Sequence, residues 1–210
     1  MAAAKKRTPR TQTAERPKAG AVESEMLTFA DGEAWGKWLA TNHASSLGVR
    51  LKIAKKGCPE PSVTYAEAVE VSLAWGWIDG QKGAIDDWWW LQRFTPRGPR
   101  SPWSQINRDK ALALIASGAM KAPGLAEVER AKQDGRWAAA YASPSRAEVP
   151  PDLAAALAAN PQAARFFETL EARNRYAVLY RVQTAKKPET RARRIATFVA
   201  MLARHEKLHP

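Results

Sequence analysis

Between Trp88 and Asn107 the chain reads W-W-W-L-Q-R-F-T-P-R-G-P-R-S-P-W-S-Q-I-N, with four Trp, one Phe and three Arg in one segment and Pro96, Pro99 and Pro102 governing its second half. Each proline fixes φ, lacks a backbone donor and biases the residue before it away from the helix, so the stretch from Pro96 to Ser104 is irregular and rigid. Whatever the rest of the chain folds into has to carry this connection. Rigid backbone, aromatic faces and guanidinium forks are also what a recognition site for an anionic or planar ligand is built from.

The elements on either side can be read from period and punctuation. Phe29 to Asn42 has helical spacing, with Asp31 as N-cap and Trp35, Trp38 and Leu39 on one face. Val49 to Ile53 (V-R-L-K-I) alternates apolar and basic residues, the pattern of a half-buried strand. Thr64 and Glu67 form a capping box for a helix that Gly76 stops. Trp77 to Ile85 and Trp88 to Phe94 read as two strands joined at Asp86-Asp87, with Trp88 and Trp90 on one face and Trp89 on the other.

Helices are expected over Ser104 to Ser117 and Pro123 to Gln133. The linker S-P-S-R-A-E-V-P-P (Ser143 to Pro151) follows. Beyond it the signals are helical only. Asp152 precedes an Ala-rich turn, Asn160-Pro161 is an N-cap followed by an N1 proline, and Asn174 and Pro188 open two more helices. In the last of these Ala192, Ile195, Val199 and Leu202 supply the buried face.

The fold class is therefore α+β: a small mixed sheet of about three strands with packed helices, then an all-helical C-terminal module. The division predicted is a disordered basic tail over 1–24, an α+β domain over 25–142 and a helical domain over 148–210.

Charge sharpens the functional reading. The formal net charge is +12, and Lys5, Lys6, Arg7, Arg10, Arg16 and Lys18 face only Glu15 in the first 20 residues. Arg93, Arg97, Arg100 and Arg108 stand in an acid-free run from 91 to 108. Such concentrations attract polyanions or small anions, nucleic acid among them. No run of 18 apolar residues and no apolar stretch after the N-terminal basic residues occurs, so neither a transmembrane segment nor a secretory signal is expected and a cytoplasmic location is. A single cysteine, Cys58, fits a reducing compartment. Three His and one Cys, widely spread, argue against a zinc site, and no metal or cofactor is expected.

The motifs K-I-A-K-K-G, S-V-T-Y-A-E-A, G-W-I-D-G-Q-K, W-L-Q-R-F-T-P-R-G-P-R-S-P-W-S and T-A-K-K-P-E-T-R-A-R-R-I, spread over roughly residues 27 to 205, together resemble the bacterial YdeI/OmpD-associated family, also called bacteriocin-protection proteins. The resemblance implies a compact α+β domain followed by a small helical domain. It implies no established biochemical activity. The family name points to work beside an outer-membrane porin and to a stress-response interaction module, an envelope association that contrasts with the expected cytoplasmic location.

Three functional readings follow. The first is binding of an anionic ligand, nucleic acid or a phosphorylated small molecule, by Arg93, Arg97, Arg100, Trp103, Ser104, Asn107 and Lys82, with the free N–H groups of the helix beginning at Ser104 favouring the anion. Lys186, Lys187, Arg191 and Arg194 form a secondary basic patch at the start of the last helix. The alternative for the loop is structural, with Arg93 and Arg97 binding carbonyls and acids to pin it. The second reading is an enzyme on a small anionic substrate, with Asp79 or His43 moving a proton. The third is the interaction module, whose C-terminal helices dock a protein partner. The sequence leaves the oligomeric state open.

Overall fold

The computed structural model describes residues 25–210. The basic segment 1–24 lies outside the described residues. Twelve elements follow in chain order: β1 (Met26–Leu27), α1 (Gly32–Asn42), β2 (Val49–Ala54), α2 (Tyr65–Ala74), β3 (Trp77–Ala84), β4 (Trp89–Pro96), α3 (Gln105–Ala116), α4 (Ala122–Gln133), α5 (Pro151–Ala158), α6 (Pro161–Glu168), α7 (Ala172–Gln183) and α8 (Pro188–Ala203). The fold is α+β with a mixed sheet and a helical C-terminal region.

The sheet has four strands, in the order β1-β2-β4-β3. The additional strand, β1, is two residues long and parallel to β2. Two residues carry no alternation, so nothing in the sequence marks them as a strand. The centre is the antiparallel pair of β2 and β4, with Leu51 opposite Gln92 and Arg50 opposite Arg93. Val49, Leu51 and Ile53 are buried while Arg50 and Lys52 are half-buried, which is the alternation expected of a sheet covered on one side.

That covered side holds the larger core. Trp35 and Leu39 of α1, Val69 and Leu73 of α2, and Trp77 and Phe94 of the sheet pack around β2, with Ala111, Leu114, Val128 and Ala131 from α3 and α4. Trp35 is fully buried, and its indole N–H donates to Ser72 Oγ at 3.2 Å and Ala68 O at 3.3 Å, so this side chain leaves no orphaned donor. α2 has the capping box at Thr64 and Glu67, and Asp31, Ser104 and Asn160 cap α1, α3 and α6.

Two glycines set how α4 lies on α2. Gly76 ends α2 at φ +74, and a Cβ there would lie 2.9 Å from Pro123 O. At Gly124 a Cβ would fall 2.2 Å from Ala74 O, so the two helix ends meet backbone to backbone.

The three consecutive tryptophans separate. Trp88 sits in the turn, half exposed, where the Asp86 carboxylate accepts from the backbone N–H groups of Trp88 and Trp89 at 2.8 Å each. Trp90 packs against the core beside Tyr65. Trp89 is buried on the opposite face, with the Lys52 ammonium 4.1 Å above its ring. At its other end β4 runs to Pro96, which stands opposite Trp77 at the strand terminus, where a missing donor is tolerated.

The C-terminal helices enclose a second core of Leu153, Leu157, Phe167, Val178, Val182, Ile195, Phe198 and Leu202. The buried stripe of α8 is Ile195, Phe198 and Leu202, whereas Ala192 is exposed and Val199 only half-buried. The stripe is thus rotated from the expected one, and Arg191 lies on it one turn before Ile195. α7 begins two residues before Asn174. That side chain is buried and clamps the C-terminus, its Oδ1 accepting from His209 N at 2.9 Å and its Nδ2 donating to His209 O at 3.1 Å.

The two cores meet at a tyrosine seam. Tyr141 packs edge-on against Tyr180 with centroids 5.1 Å apart, and the Tyr176 hydroxyl donates to Ala142 O at 2.9 Å.

Candidate functional site

The proline-locked loop leaves β4 at Arg97, whose backbone N–H donates to Gly76 O at 3.0 Å. Gly98 N donates to Ser101 Oγ and Ser101 N to Gly98 O, both at 3.0 Å, which closes a tight turn. The loop is then stapled to a distant segment: Tyr141 N donates to Trp103 O at 3.0 Å and Gln105 N to Tyr141 O at 2.9 Å. Ser104 Oγ caps α3 by accepting from Asn107 N at 3.1 Å. Two of the N–H groups at the start of α3, Gln105 and Asn107, are thereby engaged by the protein itself.

Two arginines hold the loop from below. Arg97 is 4% exposed, and its guanidinium lies 3.7 Å from the centroid of the Trp103 ring. Trp103 is itself 2% exposed and meets Trp137 edge-on at 4.9 Å. Arg97 Nη1 donates to Pro102 O at 3.3 Å. Arg136, 7% exposed, donates Nη1 to Ser101 O at 3.0 Å and Nε to both oxygens of Asp134 at 2.9 and 2.7 Å. These bonds pin the loop and use only part of each fork.

Arg97 Nε and Nη2, Arg136 Nη2 and Trp103 Nε1 are buried and find no acceptor among the described residues. A buried donor without an acceptor costs about 1–3 kcal/mol, more when it carries charge. Burial, and secondarily the Arg136 charge, lower the Arg97 pKa to about 10, and the Asp79 carboxylate opposes that shift. Arg97 makes no ion pair among the described residues. Four unsatisfied donors thus lie on three neighbouring side chains, two of which carry a guanidinium charge.

Beside them opens a cavity of about 390 Å³. Trp103, Arg136 and Tyr141 form its floor, Arg100 and Lys186 its charged rim, and Gln183 to Lys186 close it from the C-terminal helices. Its one carboxylate, Asp134, is already bound to Arg136. Burial, then the neighbouring Tyr180, raise the Tyr141 pKa, so that wall carries a neutral phenol at physiological pH.

The structure sorts the sequence candidates. Arg100, Trp103 and Lys186 line the cavity, and Arg97 stacks on Trp103 immediately beside it. Ser104 acts as a helix cap, and Asn107 is half-buried in the first turn of α3. Arg93 is exposed on the sheet, and Lys82 is exposed after a register shift between Asp79 and Lys82 in β3. Asp79 is half-buried, its Oδ2 accepting from the Tyr65 hydroxyl at 2.8 Å, a bond that raises the Tyr65 pKa after burial has done so. His43 ends α1, its Nδ1 3.0 Å from Leu39 O and its ring against Trp75.

In the secondary patch only the two lysines are exposed. Arg191 forms a bidentate pair with Asp152 and donates to Val182 O at 2.9 Å, and Arg194 donates to Arg181 O. Residues that the sequence reading omitted are Arg136, Trp137 and Tyr141. The D-G-R-W run after α4 repeats the Arg/Trp composition of the loop and was the available signal.

Among the described residues no three His, Cys, Asp or Glu side chains come together as metal ligands, and no helix is long and apolar enough to cross a membrane.

Two family models match separate parts of the chain. Residues 146–205 match the family model described as bacteriocin-protection, YdeI or OmpD-associated, and residues 27–127 match a domain of unknown function (DUF8412). No curated protein and no solved structure matches the chain. The cavity is lined by residues between 100 and 141 and by residues 183 to 186, and the latter lie inside the matched segment 146–205.

Proposed function

We propose that this chain, whose residues 146–205 form a YdeI/OmpD-associated domain, binds a phosphorylated small molecule in the cavity between the proline-locked loop and that domain. One observation carries the reading: two buried guanidinium groups and an indole beside the cavity hold four N–H donors that no acceptor among the described residues satisfies. An oxyanion entering beside Trp103 and Arg136 answers both the charge and the missing acceptors. Arg100 and Lys186, exposed at the rim, draw the anion in, and the Trp103 and Tyr141 rings give its organic part an apolar wall.

Isothermal titration of the full chain with inorganic phosphate and with phenyl phosphate tests this. The expected result is saturable binding of both, tighter for phenyl phosphate because of the aromatic wall. The double substitution R100A/K186A touches two exposed side chains and leaves the fold intact, and it should weaken both ligands about tenfold. Absence of saturable heat, or affinities unchanged in R100A/K186A, would refute the proposal.

A further inference from the structure

The face of the sheet turned away from the helices carries a second cationic surface, unrelated to the cavity. Strand alternation assigns it Met26 from β1, Arg50 and Lys52 from β2, Trp89, Leu91, Arg93 and Thr95 from β4, and Ile78 and Gly83 from β3. Met26 is 54% exposed, Arg93 is exposed, and Arg50, Lys52, Leu91, Thr95 and Ile78 are half-exposed. Three cations stand on this face and no carboxylate. None of Arg50, Lys52 and Arg93 is in an ion pair among the described residues, although seven other cations are.

Arg50 stands directly opposite Arg93 in the β2–β4 register. Like charges facing each other across an antiparallel pair destabilise a sheet, and folding gains nothing from the arrangement. An anion lying between them would offset that repulsion. Lys52 sits two positions along the strand from Arg50, about 6.6 Å away, so the three charges form a row with a bend.

We infer that this open sheet face binds single-stranded nucleic acid, with Arg50, Lys52 and Arg93 tracking the phosphates. Among the described residues this strand surface carries no helix that could enter a duplex groove, whereas splayed single-stranded bases lie on such a surface. An aromatic platform is at hand. The Lys52 ammonium covers the Trp89 ring at 4.1 Å, and turning it to a phosphate opens that ring for a base to stack on.

The test is fluorescence anisotropy on the full chain, across a salt series, with a labelled thymidine oligomer of about 20 nucleotides. The same sequence as a duplex and vesicles of phosphatidylserine and phosphatidylcholine serve as competitors. Wild type should bind the single strand more tightly than the duplex. R50Q/K52Q/R93Q should bind it about tenfold more weakly at low salt, and its log–log salt slope should be shallower by about 2, the counterion release of three phosphates. R50Q alone should unfold at the wild-type temperature or above it, since it relieves repulsion, while still weakening the single strand. R100A/K186A should leave this binding unchanged, which separates it from the cavity. A triple variant that binds with wild-type slope overturns the inference, as does preference for the duplex, or vesicle binding without oligonucleotide binding.

Discussion

Arg97 and Arg191 are both half of a pair of arginines, one in the loop and one in the last helix, and the protein treats them in opposite ways. Arg191 faces Asp152 in a bidentate pair, and the hydrogen bond to that carboxylate holds its pKa above the ordinary value. Arg97 is more deeply buried, has Arg136 as its charged neighbour, and is pushed down to about 10. The first is a satisfied structural tie between α8, α5 and α7. The second is a charge held where folding alone gives it little reason to be. The difference teaches that a cationic cluster is a candidate site when its donors outnumber the acceptors around it, and that the number of cations by itself says little.

The largest effect should come from removing the platform beneath Arg97. Trp103 is almost fully buried between the Arg97 guanidinium and Trp137, and Trp103→Ala should cost about 3–5 kcal/mol in unfolding by denaturant. A loss below about 1 kcal/mol would mean that the loop is not packed as an extension of the larger core, and the contrast with α8 would lose its basis.

Next comes the direct contrast of the two arginines. Arg191→Met strands the Asp152 carboxylate and removes the donor to Val182 O, so it should lower stability by about 1–2 kcal/mol and leave phenyl phosphate binding unchanged. Arg97→Met preserves volume and removes a buried charge that has no carboxylate partner among the described residues. Its stability should stay within about 1 kcal/mol of wild type while phenyl phosphate affinity falls. Stability that drops more for Arg97→Met than for Arg191→Met would reverse the assignment and make Arg97 the structural residue.

Much of this architecture was legible because its signals are local. The Thr64/Glu67 capping box, the Asp31, Ser104 and Asn160 caps and the V-R-L-K-I alternation each depend on contacts within a few residues. The rigidity of the loop was equally legible from its three prolines. What could not be read was which arginine has a partner. Asp152 lies 39 positions before Arg191, and the Ser101 carbonyl 35 before Arg136. An Arg on a helix looks the same in sequence whether it faces water or a carboxylate. Tyr141 escaped notice because its segment has no periodicity, and its place at the cavity depends on the parallel bridge to Ser104. The fold was visible in local chemistry, and the site was assembled from long-range pairings.

The smallest effect is the pH dependence of the Arg191 tie. The hydrogen bond from Arg191 holds the Asp152 carboxyl below its ordinary value of 3.8. A carboxyl whose folded pKa is depressed contributes stability that is fully present above the unfolded pKa and is lost as pH falls through the folded one. The gap in unfolding temperature between wild type and Asp152→Asn should therefore be constant from neutral pH down to about 5 and should close progressively below about 4. Asp152 is nearly half exposed, so solvent screening keeps the gap to a few degrees at most. Arg97 has no paired carboxylate to protonate among the described residues, so Arg97→Met and wild type should keep a fixed separation over the same acid range. Thermal melts of the three proteins from pH 7 to pH 3 check both halves. A gap between wild type and Arg97→Met that also closed in acid would show that a carboxylate, Asp79 being the nearest in effect, carries Arg97 after all.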